Sequence, residues 1–342
     1  MKGERRSPCF DMSSARRQRR AGQAQRRTRS RPRCPAKTPL SRHPNPERPV
    51  RSRLIRMRVW AEGGSRLIRP PQTEQGLVTR TSELAANVYT LSFESPGIAR
   101  DCLPGQFVHL ATGSGARVLR RPFSIARIRD RELTLIYRVV GEGTRWLRDR
   151  RPGDALDTLG PLGRPFALPT DAESVLLVGG GLGIAPLLAL AEGLRASGCA
   201  APMEALFGAR SVGELFAADL GDAVAGLDWL HATDDGSEGF AGSVVDLLRD
   251  RLATARSDGA SAGGVVVYAA GPAPMLRACA AVCVPQGIDL QVSMEAHMAC
   301  GVGACRACAV VSGPDPEALP WRVCREGPVF DAAEIVWEKV GA

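Results

Sequence analysis

Residues 174–186 run Ser174-Val175-Leu176-Leu177-Val178-Gly179-Gly180-Gly181-Leu182-Gly183-Ile184-Ala185-Pro186. Ser174–Val178 predicts a buried strand, the glycines a tight turn, and Pro186 a position in the first turn of a helix. A turn of this kind makes an anion site from free N–H groups and the helix dipole, with Gly179, Gly180, Gly181 and Gly183 as the candidate cradle. It is not the fingerprint of three spaced glycines, because the last position is Pro186, and an ordinary strand–helix turn would look the same. The same glycines and proline break up the uncharged stretch 174–191, which excludes a membrane-spanning helix there.

The alternation continues on the C-terminal side. A helix is expected over Pro186–Ala196, a strand over Met203–Phe207, a helix over Val244–Leu252 and a strand over Val265–Ala269. Strands alternating with helices predict a parallel α/β sheet, here across 171–290. Two more loops fall at carboxyl ends of its strands, where such sheets bind ligands: Thr233-Asp234-Asp235-Gly236, and Ala270-Gly271-Pro272-Ala273-Pro274-Met275 with Gly271 as a candidate contact.

Upstream, 73–170 changes to short alternating segments: Val88–Phe93, Gln106–Leu110, Ser124–Ile128 and Leu133–Val139. Pro104-Gly105 and Pro152-Gly153-Asp154 punctuate them, as in a small antiparallel β-barrel. Arg121-Pro122-Phe123-Ser124 offers a cation for a phosphate, an aromatic face and a hydroxyl. Ile136-Tyr137-Arg138 ends a strand, and Gly141-Glu142-Gly143-Thr144 turns into a short helix over Arg145–Asp149. Thr144 is expected as N-cap, leaving backbone N–H groups for a pyrophosphate. Taken singly, each of these also fits a plain barrel with surface arginines.

The last segment, 291–342, carries Cys300-Gly301-Val302-Gly303-Ala304-Cys305-Arg306-Ala307-Cys308 and then Cys324. Cysteine, four residues, cysteine, two residues, cysteine and a distant fourth is the spacing of a plant-type [2Fe–2S] cluster. Four thiolates also suit Zn²⁺, although zinc knots usually come as two close pairs.

The formal charge of +9 would suggest a nucleic-acid partner if it were spread over the chain. Residues 1–58 instead hold 19 Lys/Arg against Glu4, Asp11 and Glu47, and the remaining residues are net acidic. The basicity therefore belongs to an N-terminal extension, 1–72, expected to be disordered or, before Met57, untranslated. Cys9, Cys34, Cys102, Cys199, Cys279 and Cys283 show no framework spacing, and no secretory signal is apparent. Both points fit a soluble protein of the reducing cytoplasm with neither nucleic-acid nor membrane partners.

A nucleotide domain beside a cluster implies a converter, because a nicotinamide exchanges a hydride pair whereas an iron–sulfur cluster takes single electrons. A flavin makes that exchange, and the barrel has a plausible place for one. His43, His109, His231 and His297 lie on separate segments, and nothing marks any of them as a catalytic base.

From about Thr73 onward the chain resembles the ferredoxin-reductase superfamily and, within it, the electron-transfer subunits of class 1B dihydroorotate dehydrogenase. Arg121-Pro122-Phe123-Ser124 is similar to that family's flavin signature, in which the arginine meets the FAD phosphates and the serine lies near the isoalloxazine. Ile136, Tyr137, Arg138, Gly143 and Thr144 fall where the family places its other FAD contacts. Gly181–Pro186 resembles its nucleotide loop. Cys324-Arg325-Glu326-Gly327-Pro328-Val329-Phe330 is the narrowest match. The resemblance implies FAD, a [2Fe–2S] cluster on Cys300, Cys305, Cys308 and Cys324, and NAD(H) as co-substrate. It also implies an FMN-containing catalytic partner that oxidises dihydroorotate to orotate in pyrimidine biosynthesis, in a heterotetramer of two of each. A reductase serving an oxygenase, a sulfite reductase or a ferredoxin is the alternative. Ala270 departs from the superfamily, which often carries cysteine there.

Overall fold

In the tetrapeptide Phe107-Val108-His109-Leu110, alternate residues point to opposite sides. Val108 and Leu110 enter one core, whereas Phe107 belongs to another. The computed structural model describes residues 70–113, 119–169, 171–216, 227–257, 259, 261, 263–315 and 317–340; apart from 70–72, the basic N-terminal extension lies outside them. Period-two alternation of this kind builds the first half of the molecule. β1 (Gln72–Ala85), β2 (Val88–Glu94), β3 (Phe107–Leu110), β4 (Arg121–Arg129), β5 (Glu132–Arg138) and β6 (Ala155–Leu162) close an antiparallel barrel in the order β1-β2-β5-β4-β3-β6. Its interior is filled by side chains such as Leu91, Phe93, Val108, Leu133 and Leu135, all without solvent exposure. Closure leaves no strand edge to protect. Helix α1 (Pro96–Asp101) lies between β2 and β3, and α2 (Glu142–Arg148) follows β5.

In the second half, the central strands are buried on both faces. β7 (Ser174–Gly180), β8 (Met203–Ala209), β9 (Asp228–Thr233), β10 (Phe240–Ala241), β11 (Val265–Ala270) and β12 (Asp289–Ser293) are parallel, in the order β10-β9-β8-β7-β11-β12. Val175 and Leu177 of β7 share a core with α3 (Ile184–Ala196), while Leu176 and Val178 share the opposite one with α4 (Val244–Ser257) and α5 (Ala273–Cys283). A strand covered on both faces must be apolar throughout, which is why Ser174–Val178 stood out in the sequence.

The cysteine-bearing segment is woven into this sheet. Gln291 lies inside β12. After the small pair β13 (Ala309–Val311) and β14 (Trp321–Arg322), the chain returns as β15 (Val329–Asp331), a seventh strand antiparallel to β12. The expected classes of architecture are all present: a closed antiparallel barrel, a parallel α/β sheet and a C-terminal cysteine module. Barrel and sheet meet at α3, where Arg127 Nε lies 2.8 Å from Glu192 Oε1 and Ala126 and Ile136 join the α3 core. Among the described residues no helix is long and apolar enough to cross a membrane, and the eight cysteines are free thiols.

Candidate functional site

The glycine turn after β7 is as tight as its sequence suggested. A Cβ on Gly183 would lie 2.1 Å from the Ala270 carbonyl oxygen, so only glycine fits at this crossing of β7 and β11. Gly181 adopts a left-handed φ of 54°, and Gly271 has φ 153° with its Cβ position 3.2 Å from Gly180 N. The loops after β7 and β11 thus abut, and Gly179 packs on Ile184 at the head of α3. They open onto a cleft of about 600 Å³ lined by Gly180, Gly181, Gly183, Arg138, Arg210 and Glu214. Its place at the carboxyl ends of parallel strands suits a dinucleotide. Asp234, from the loop after β9, lines it too.

Glu214 is the residue that the sequence left unseen. It takes two hydrogen bonds from the Arg210 guanidinium, one of them at 3.2 Å from Nε. That bonding, with help from Arg138, holds its carboxyl below the ordinary range.

The second constellation is on the barrel. Arg121 opens β4, and Gly143 lies in the first turn of α2. A Cβ on Gly143 would come within 3.7 Å of Arg121 Cγ and 2.7 Å of Thr112 Oγ1. Arg121 Nη1 rests on the carbonyl oxygen of Leu119 at 2.7 Å. Pro122 and Ser124 pair with His109 and Phe107 and so share their face of the barrel, whereas Phe123 pairs with Val108 and enters the barrel core. The Tyr137 ring meets Phe123 edge-on at 5.9 Å. Thr112 Oγ1 and Tyr137 Oη are buried without a hydrogen-bond partner among the described residues. Orphaned buried polar atoms on a barrel that also presents Arg121, with glycine backbone at Gly143, fit a polar, phosphate-bearing ligand such as FAD. The expected cap is corrected. The N-cap is Gly141 and the helix begins at Glu142, so Thr144 sits in the third helical position and its Oγ1 accepts from the N–H groups of Val140 at 2.9 Å and Gly141 at 3.1 Å. A glycine cap brings no side chain to the first helical N–H groups. Ile136 faces the α3 core, and Arg138 reaches the nucleotide cleft.

The four cysteines come together in two pairs. The N–H of Cys305 donates to Cys300 Sγ and that of Cys324 to Cys308 Sγ, both at 3.4 Å. Left-handed φ values at Gly301 (70°) and Gly303 (83°) curl the loop around them. Burial raises the Cys300 thiol, but N–H groups of Cys305, Val302 and Ala304 and the Cys305 side chain outweigh it and set it at about 6. Arg322, held by Glu326, donates to the Gly303 carbonyl at 2.6 Å and braces the loop. Two neighbouring pairs fit a two-iron cluster, each iron taking two thiolates.

The model of the iron–sulfur cluster binding domain of dihydroorotate dehydrogenase B matches residues 295–336. A dihydroorotate dehydrogenase B (NAD(+)) electron transfer subunit from Desulforamulus reducens is 36% identical over 258 residues, covering 75% of this chain and 95% of the relative. The corresponding subunit of Geobacillus sp. strain WCH70 is 39% identical over 272 residues, 77% of this chain and 98% of its own length. The chain belongs to the family of dihydroorotate dehydrogenase B electron transfer subunits. Among solved structures, an NADH-dependent reduced ferredoxin–NADP oxidoreductase studied for flavin-based electron bifurcation superposes with a TM-score of 0.64 at 26% identity, covering 81% of this chain and 92% of that one. The ferredoxin reductase of carbazole 1,9a-dioxygenase shares the fold, with a TM-score of 0.55 at 22% identity over 64% of this chain and 67% of that one. For an electron transfer subunit the exposure of the cysteine loop matters. Cys308 and Cys324 are buried, but Cys305 is exposed and Val302 is 40% exposed, so one rim of the loop reaches the surface.

Proposed function

We propose that this chain is the electron-transfer half of an NAD-dependent dihydroorotate dehydrogenase, passing electrons between NAD(H) and a separate catalytic subunit. Its cofactors are FAD and a [2Fe–2S] cluster, with NAD(H) as co-substrate. Bound FAD supplies the exchange between a hydride pair and single electrons. The chain's own residues do the rest by position. Gly179, Gly180, Gly181, Gly183 and Gly271 bring backbone close to the dinucleotide. Arg121 offers charge to the FAD phosphates, with Pro122, Ser124, Tyr137, Arg138, Gly143 and Thr144 completing that site and Phe123 and Ile136, whose side chains enter the barrel and α3 cores, adding backbone alone. Cys300, Cys305, Cys308 and Cys324 hold the irons.

One observation carries this reading: the cysteine loop touches the barrel on the Ser124 face of β3 and β4, where Gly301 meets His109, and turns its Cys305 rim outward. The nucleotide cleft shares Arg138 with the barrel. Nucleotide, flavin and cluster sites are thus contiguous, and the last is open to a docked protein. The partner is an FMN-containing catalytic subunit in a heterotetramer of two of each, working in the cytoplasm in pyrimidine biosynthesis. No described segment offers a second barrel to bind dihydroorotate, so the chain alone should reduce artificial acceptors with NADH and form no orotate.

Adding the catalytic subunit should give NAD-dependent orotate formation. Cys305→Ser should abolish that coupling and the EPR signal of the reduced cluster, while NADH still bleaches the flavin. Orotate made by the chain alone would refute the proposal. So would stable association with an oxygenase or a ferredoxin and none with the dehydrogenase.

A further inference from the structure

His109 is fully buried, and neither the flavin site nor the nucleotide site uses it. Strand alternation turns it away from the barrel core and toward the cysteine loop, on the same face as Phe107, whose ring it meets at 5.7 Å. In register it pairs with Pro122, between the rungs Phe107–Ser124 and Leu110–Arg121. The edge of its ring that carries both nitrogens lies against Gly301. A Cβ built there would be 2.7 Å from Cε1, 2.8 Å from Nδ1 and 3.1 Å from Nε2. Gly301 directly follows Cys300.

Both ring nitrogens are buried, and neither has a hydrogen-bond partner among the described residues. In either protonation state an imidazole carries at least one N–H, and a buried donor left without an acceptor is rare. The ring therefore awaits an acceptor, and the loop it faces is the one that gathers four thiolates. An N–H donated to sulfur stabilises the extra negative charge of a reduced cluster, which raises its potential.

We propose that His109 donates a hydrogen bond from β3 to a sulfur of the cluster held by the Cys300 loop. It thereby sets the cluster's potential and ties the cluster to the flavin-bearing strand pair. The ring takes up and releases no proton; only its dipole acts. The proposal rests on the assignment of a [2Fe–2S] cluster to the four cysteines.

The test uses the full chain purified with its cofactors and its catalytic partner. His109→Phe keeps the ring volume and removes the N–H, whereas His109→Gln keeps a donor. In redox titrations followed by EPR, His109→Phe should lower the reduced-to-oxidised ratio of the cluster about tenfold at a fixed ambient potential, a displacement of about 59 mV for a one-electron couple. His109→Gln should shift it less, and the flavin potential should stay put in both. Ring-¹⁵N-labelled histidine should give a nitrogen coupling to the reduced wild-type cluster by ENDOR, and that coupling should vanish in His109→Phe. An unchanged cluster potential, a shift of the flavin potential in its place, or a wild-type cluster without histidine coupling would each overturn the proposal. The last measurement needs no variant, so a misfolded His109→Phe protein does not shield the idea. A wild-type protein without iron would remove the cluster assignment and this proposal together.

Discussion

Arg210 directly follows β8, where a 2′-phosphate on the adenosine ribose would reach it, yet its guanidinium is already held by Glu214 four residues on. Glu214 also lines the cleft, so a second negative group arriving there would meet a carboxylate before it met a free cation. The pair is expected to favour NADH over NADPH. Glu214→Ala should release Arg210 and raise the NADPH-to-NADH ratio of kcat/KM by about fivefold, the scale of one solvent-exposed charge interaction. Steady-state kinetics with both nucleotides checks it, and an unchanged ratio would mean that the pair is only structural. The difference between this pair and the cysteines shows which residues a sequence gives away. Cys300, Cys305, Cys308 and Cys324 were legible because covalent ligation demands one residue type at a set spacing. Glu214 was not, because its meaning comes from a cleft that only the assembled sheet creates.

At the scale of single elements, β7, its turn and α3 form a local unit. Their sequence could be read because all three signals lie within 174–196. The backbone at Gly183 has φ −60°, which alanine would accept, but the added Cβ would collide with a main-chain oxygen that no rotamer can move. Gly183→Ala should therefore cost about 1–3 kcal/mol, the range for overpacking a tight core, and weaken NADH binding along with it. Thermal unfolding and a nucleotide titration measure the two losses. The barrel was less legible. β1 and β6 were not anticipated, since half-exposed strands such as Gln72–Ala85 mix polar and apolar residues and take their order from pairing far along the chain. β1 also supplies Glu74, whose carboxylate accepts from Ser95 Oγ at 2.7 Å and from the N–H groups of Gly97 and Ile98 at 3.2 and 3.0 Å, anchoring the start of α1. Burial pushes the Glu74 pKa up, but these three bonds outweigh it and leave it below the ordinary 4.5. A folded pKa below the unfolded one gives stabilisation that is present above pH 4.5 and lost as the pH falls through the folded value. Glu74→Gln should flatten the acid limb of Tm against pH below about pH 4.5; an acid limb as steep as that of the wild type would rule out this anchor.

For the whole molecule, the telling feature is how the C-terminal module is attached. Sequence texture suggested a small module that follows the nucleotide domain, but the segment after β12 comes back to pair with it: Gln291 with Asp331, Val292 with Phe330, Ser293 with Val329. Phe330 stacks on Trp321 at 5.7 Å, and Met294 donates its N–H to the Pro328 carbonyl at 2.9 Å. This return was invisible in advance because a three-residue strand carries too little pattern to be recognised. Deleting residues 294–342 should therefore bare the edge of β12 and yield an aggregating protein instead of a clean nucleotide-binding fragment. Size-exclusion chromatography decides it, and a monomeric fragment that binds NADH would show the module to be dispensable. The same return sets an order of manufacture. Cys324 and β15 leave the ribosome after the barrel and the six parallel strands, so the irons can be enclosed only once those have been made, and enclosing them helps seat β15 beside β12. A cell starved of iron would then accumulate more than a colourless copy of the protein: its nucleotide half would be left with an unfinished border, open to proteases.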